Sequence, residues 1–226
     1  MKHALLVFLI VSFVYSDHIY AQRLFKISTV ANAELLPNVI NNVRAAYELL
    51  GIKLEITPLP AQRSLLEAQK NIVFDAELGR VVQAENQLSN LIRIPVSLTE
   101  LSLVAVAHNK LQGLSGQQGI ESLEQFRVGS MRGLVITDLL LKHIDNQLVD
   151  RTKQGFDMLL YKRLEVFVIP KFMVSKLPIK LLDGGYIIHE PPLLRVKIFH
   201  FVHKKHQALI PDITAALSEV TGNPIE

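Results

Sequence analysis

Residues 60–80 read PAQRSLLEAQKNIVFDAELGR. Behind the proline, residues 61–71 carry apolar side chains at helical spacing, and residues 72–78 then read as a short strand containing Asp75 and Glu77. A helix that passes straight into a strand is the building step of an α/β fold, and the flanking sequence repeats it. Upstream, LFKISTV (24–30) reads as a strand, and ELLPNVINNVRAAYELL (34–50) as a helix that Gly51 stops. IKLEITPLP (52–60) is a second strand, which makes 72–78 the third. Downstream the order returns, with strands at FRVGSM (126–131), QLVDRT (147–152) and LEVFVIP (164–170). Helices VITDLLLKHI (135–144) and GFDMLLYKR (155–163) separate them. The repeat is one of architecture, not of letters.

Strands alternating with helices predict mainly parallel sheets covered on both faces and joined by right-handed crossovers. Two such units predict two lobes. LSLVAVAH (101–108) and RVKIFHFVH (195–203) are read as the two passages between them, and the closing helix in HQALIPDITAALSEV (206–220) is expected on the first lobe. The division is residues 22–104 with 198–226 for lobe 1, and 105–197 for lobe 2.

The chain opens MKHALLVFLIVSFVYSDHIYAQ, with Lys2 and His3 ahead of an apolar run from Ala4 to Tyr15. That is the grammar of an export signal, and residues 1–21 are read as a signal peptide cleaved after Ala21, or alternatively after Ser16. The apolar run is shorter than the roughly 20 residues that span a bilayer, and no later segment is longer, so a soluble periplasmic protein is expected. The 226 residues include no cysteine, which rules out disulfides, a thiolate nucleophile and lipidation at a cysteine after the signal. The net charge of +3 is small and spread out, and its densest run, Lys204-Lys205, has no aromatic platform beside it. Nucleic acid is therefore not an expected partner.

In open parallel sheets, ligands sit beyond the carboxyl ends of strands. FDAELGR (74–80) closes the third strand of the first unit and VGSMRGL (128–134) the first strand of the second, so both are expected on a shared cleft. Arg80 is the leading candidate, because Gly79 permits a tight turn and a guanidinium fork suits a carboxylate or phosphate; a plain salt bridge to Glu77 or Glu85 is its alternative. Arg132 carries the same two readings. Arg63 opens a helix, where a cation opposes the helix dipole; it is read either as reaching the cleft or as a solvated charge. Glu77 could meet an ammonium group, and Asp75 is read as structural, holding backbone N–H groups.

From residue 24 onward these residues resemble type II periplasmic solute-binding proteins, the clamshell receptors of amino-acid ABC importers (family 3). PLPAQRSL with Arg63, FDAELGR ending at Arg80, NLIRIPVSL (90–98) and SLEQFRVGSMRG (122–133) carry the resemblance, in order and spacing. It implies an α/β, two-lobed periplasmic-binding-protein-like clamshell, each lobe a mainly parallel sheet flanked by helices. It also implies capture of a small organic anion, amino-acid-like or another carboxylate, for ABC import. A sensing or accessory lobe for a membrane signalling partner, or a dehydratase-like enzyme using Glu77, are the alternatives. The chain departs from the family at VANAELL (30–36), where an aromatic and prolines are usual, and no Thr-x-x-Arg follows Arg80. Leu134, Val135 and Ile136 replace hydroxyl donors after Arg132-Gly133. These departures point away from α-amino acids.

The expectation is thus a monomeric, non-enzymatic binder with no cofactor, using Arg63, Glu77, Arg80 and Arg132, and working with an ABC permease or a membrane sensor. No nucleophile elbow, P-loop or dinucleotide fingerprint is present. HFVHKKH (200–206) spaces three histidines, but His200 and His203 would point to opposite faces of a strand, so ordinary polar surface is expected there rather than a metal site.

Overall fold

The computed structural model describes residues 24–31, 36–114, 116–175 and 185–226. The expected signal peptide and its cleavage sites lie outside the described residues. Among those described, no helix is long and apolar enough to cross a membrane.

The first unit comprises β1 (Leu24–Val30), α1 (Pro37–Leu49), β2 (Lys53–Leu59), α2 (Ala61–Lys70) and β3 (Ala76–Val81). Pro37 opens α1, where a missing N–H costs nothing. Gly51, at φ +69°, lets the chain turn back so that its N–H and that of Ile52 cap the last turn. Then follow β4 (Leu91–Ala107), β5 (Val128–Met131), α3 (Val135–Leu140), β6 (Asn146–Val149), α4 (Thr152–Leu160), β7 (Val166–Pro170) and α5 (Lys171–Ser175). The chain ends with β8 (Ile187–His203) and α6 (Ile210–Thr221).

Two separate sheets were expected; the eight strands form one, in the order β2-β1-β3-β8-β4-β7-β5-β6. The two passages are parts of β4 and β8, 17-residue strands that pair antiparallel from Leu91↔His203 to Ala107↔Ile187. The second half of β8 also pairs with β3, and the second half of β4 with β7, so this ribbon belongs to both units. The remaining pairings, β1 with β2 and β3, and β5 with β6 and β7, are parallel as expected. Backbone polarity explains the merger: a bare extended passage would leave its N–H and C=O groups unpaired, and two adjacent passages pair with each other.

Apolar side chains gather in layers. Phe25, Ile27, Val43 and Tyr47 pack with Ile213 and Leu217 of α6, which places the closing helix on the first unit as read. Phe156, Phe167, Ile169 and Met173 form a core in the second. A further layer joins the two: Leu65 and Ala68 of α2 and Val81 of β3 pack with Val135 and Ile136 of α3. Gly133 (φ +76°) also lies against α2: a Cβ there would stand 3.2 Å from the backbone nitrogen of Gln62.

One boundary differs from the sequence reading. The third strand begins at Ala76, not Ile72; Ile72 is 82% exposed and Asn71 (φ 52°) caps α2 in the left-handed conformation. Gly79 and Arg80, expected just past the strand, therefore lie inside β3.

Candidate functional site

Glu77 and Arg80 are three residues apart on β3, a separation that puts side chains on opposite faces of a regular strand. Here Glu77 pairs with Phe201 and Arg80 with Phe199, so three steps on β3 match two on β8. That extra residue is a β-bulge, and it turns both side chains to the same side. Gly79 sits within it, where a Cβ would press to 2.9 Å from Cγ2 of Ile198.

The bulge has its own support. Nδ1 of His200 lies 3.1 Å from the Leu78 carbonyl, and since a carbonyl only accepts, Nδ1 carries the proton. Nε2 then accepts from the Tyr47 hydroxyl at 2.8 Å. Burial holds His200 down at about pKa 4 despite its backbone bonds, and burial raises Tyr47. The imidazole is neutral.

Glu77 is fully buried and Arg80 is 5% exposed. Nε of Arg80 donates to Oε1 of Glu77 at 3.0 Å, and Nη2 donates to the Ala61 carbonyl at 2.8 Å. Oε2 of Glu77 accepts from the hydroxyls of Ser28, at 2.7 Å, and Ser64. Both carboxylate oxygens are thus engaged. A guanidinium has five N–H groups, and those of Arg80 beyond these two bonds have no protein acceptor among the described residues.

Beside this pair runs a cleft with a cavity of about 110 Å³. Thr29, Val30 and Ala31 at the end of β1, and Leu78 to Val81 of β3, form one wall. Leu134, Val135 and Ile136 at the start of α3, with Pro170, Phe172 and Met173, form the other. Leu101 and Ile198 of the shared ribbon close its floor. The cleft runs along the later residues of β1 and β3 and the start of α3, between the two units. The lining is not what a cluster of cations would give: Arg80 is its one charged residue among the described residues.

The remaining candidates lie elsewhere. Arg132 is exposed, with Nε 3.0 Å from Oδ1 of Asp150, and it borders an outer groove with Gln62, Gly133 and Asp138. Arg63 is exposed on the first turn of α2. Asp75 ties down the start of β3: it accepts from the Lys26 N–H at 2.9 Å, pairs with Lys205 at 2.8 Å and meets His206 Nε2 at 2.8 Å. Burial alone would raise the pKa of Asp75, but these hydrogen bonds outweigh it and lower it.

The histidines correct the sequence reading of a polar surface. His200 and His206 are buried at 0% and 6% exposure, each by a partner remote in sequence. No cluster of three or more metal-ligating side chains occurs among the described residues.

Sequence reasoning did not find Ser28, Ser64, Phe172 or Met173. The two serines carry no pattern separating a carboxylate-binding hydroxyl from an ordinary one. The apolar wall did leave a trace, in Leu134-Val135-Ile136 standing where the family resemblance calls for hydroxyls.

Two α/β units sharing an antiparallel ribbon, with a cleft between facing strand ends, match a known architecture. ArgBP from T. maritima in its truncated, arginine-bound form superposes with a TM-score of 0.71 over 90% of this chain and 99% of that one. The fold is that of a type II periplasmic-binding-protein-like clamshell. Sequence identity to ArgBP is 14%. Two other clamshells show the same likeness. A histidine kinase sensor domain with similarity to periplasmic binding proteins superposes at TM-score 0.70 and 14% identity, over 88% of this chain and 90% of that one. The GluR0 ligand-binding core in complex with L-glutamate gives 0.70 and 11%, over 88% and 93%. No family model and no curated protein matches the sequence.

Proposed function

We propose that this clamshell captures a small organic molecule between its lobes and reports or delivers it to a membrane partner. The observation that carries the reading is the cleft at the facing ends of β1, β3, α3 and α5, bordered by a buried arginine with unused donors. Arg80 is assigned the contact with an oxygen acceptor on the ligand, a carboxylate being the one expected. Glu77 holds the guanidinium in place. Arg63 and Arg132, outside the cavity, contribute long-range attraction for an anion, reduced for Arg132 by Asp150.

Export to the periplasm through residues 1–21 and a monomeric state belong to the same reading. The lobes divide within the long strands, near 104/105 and 197/198, and close about the β4–β8 ribbon. Neighbours of similar fold include both ligand-bound binding proteins and a kinase sensor domain, so import and sensing are both compatible with it. Enzymatic use of Glu77 is disfavoured: an acid or base needs a free oxygen facing its substrate, and Arg80, Ser28 and Ser64 occupy both.

The test is a thermal-shift and native mass-spectrometry screen of the purified chain against organic acids and amino acids. A hit should raise the melting temperature and, in solution scattering, leave the radius of gyration equal or smaller. If no compound in either class binds, the capture reading fails.

A further inference from the structure

Three features of the cleft restrict its ligand more sharply than the fold does, and the restriction rests on the capture reading above. The first is apolarity. Leu78, Leu134, Ile136, Phe172 and Met173 face the cavity, and hydroxyls or charges on a ligand's body would lose water there without finding partners. The second is the state of Glu77, the one acidic group beside the cleft among the described residues. It accepts from Arg80, Ser28 and Ser64 and is fully buried, so it has nothing left for a ligand ammonium. The third is Arg80, whose remaining N–H groups have no protein acceptor among the described residues and which lines the cavity. Thr29 borders the same space, and its hydroxyl also has no partner among the described residues.

Together these define an unusual complement among the described residues: donors without acceptors, and a fixed cation with no spare anion. An ammonium entering beside Arg80 would be desolvated with no acceptor to receive its hydrogen bonds, since both oxygens of Glu77 are engaged. An oxygen acceptor would instead complete the guanidinium's hydrogen bonds. Size follows from volume. The cavity is about 110 Å³, against about 150 Å³ for an apolar cavity that takes up benzene, so it encloses about four carbons of the body and the rest extends toward the cleft's open side.

We propose that the cleft takes a ligand made of a compact branched or aromatic hydrocarbon body and a single oxygen-acceptor head, with no ammonium group. An α-amino acid is thereby excluded as the preferred ligand. The head is a carboxylate or a neutral carbonyl, since Glu77 and Arg80 already cancel in charge and both heads accept the same hydrogen bonds.

Calorimetric titration of the purified chain with two matched triads tests this. The first is 4-methylpentanoate, 4-methylpentanamide and leucine; the second is 3-phenylpropanoate, 3-phenylpropanamide and phenylalanine. Arginine, glutamine and glutamate form a polar arm. In at least one triad the acid or the amide should bind, with the amino acid at least about tenfold weaker; the stronger of acid and amide identifies the head. Binding of leucine or phenylalanine as tight as its acid, or binding confined to the polar arm, overturns the ligand class while leaving the capture reading intact. No binding anywhere overturns both. Arg80→Lys keeps a cation beside Glu77 but removes the fork, and its folding is checked by its melting curve. If folded, it should lose at least tenfold in affinity for the preferred head; unchanged affinity overturns the role of Arg80. If it does not fold, Thr29→Val serves, with weaker acid or amide binding expected and unchanged binding counting against the acceptor-headed ligand.

Discussion

Nε of Arg80 stands 3.0 Å from Oε1 of Glu77 on one side of β3, although their spacing would set them on opposite sides of a regular strand. The bulge at Leu78-Gly79 brings them together, and His200 holds that bulge by its carbonyl. The pair is nearly solvent-free, which decides how its loss should read.

Removing either partner leaves a buried, uncompensated charge. Glu77→Leu and Arg80→Met should each cost about 3–5 kcal/mol of stability in urea unfolding. The double variant should cost clearly less than the sum, because no bare charge remains. Additive losses would show that the two groups are not coupled.

Gly133 tests the contact between lobes. Gly133 (φ +76°) and Gly222 (φ +69°) share the left-handed backbone, but a Cβ at Gly222 meets nothing within 4 Å, whereas one at Gly133 approaches the Gln62 backbone. Gly222→Ala should therefore report conformational strain alone, about 1 kcal/mol. Gly133→Ala should lose more, or should part the lobes and enlarge the radius of gyration. Equal effects in both assays would mean the lobes do not meet there in solution.

His200 makes the protein sensitive to mild acid. Its folded pKa of about 4 lies below the ordinary value of 6.5, so between those limits the unfolded chain binds a proton that the folded chain refuses. Stability is then full above about pH 6.5 and falls as pH drops toward 4, by up to about 3 kcal/mol. His200→Asn should be less stable at pH 7 and flatter across that window. An equally steep profile in the variant would assign the acid sensitivity to other groups.

Asp75 acts in a lower window. Its folded pKa is depressed, so its contribution is present above the ordinary carboxylate value and lost as pH falls through the folded one, below about pH 4. Asp75→Asn should lower stability at neutral pH by about 1.5–3 kcal/mol, through weakened bonds to Lys205, His206 and the Lys26 N–H. Its acid loss below pH 4 should shrink, while the His200 window is unchanged. Thermal melts from pH 3 to 7 separate the two.

The sequence by itself determined the α/β class, the two strand-helix repeats, the stop at Gly51 and the return of the last helix to the first unit. Each rests on local periodicity or a local backbone demand, which neighbouring residues suffice to express. Asp75 was legible as a structural carboxylate only in kind, because the N–H it holds belongs to Lys26 on β1 and its other partners are Lys205 and His206, all remote in sequence. The merging of two expected sheets into one, the inward burial of His200 and His206, and the meeting of Glu77 with Arg80 were decided only by tertiary structure. In each case the partner is supplied from far along the chain: β8 for β4, Tyr47 for His200, Asp75 for His206. The bulge that turns Arg80 toward Glu77 exists only in the register between β3 and β8, and no spacing within β3 encodes a register. The site's character changed for that reason: once the arginine's charge is met from within, the cleft is left to its leucines, isoleucines, phenylalanine and methionine.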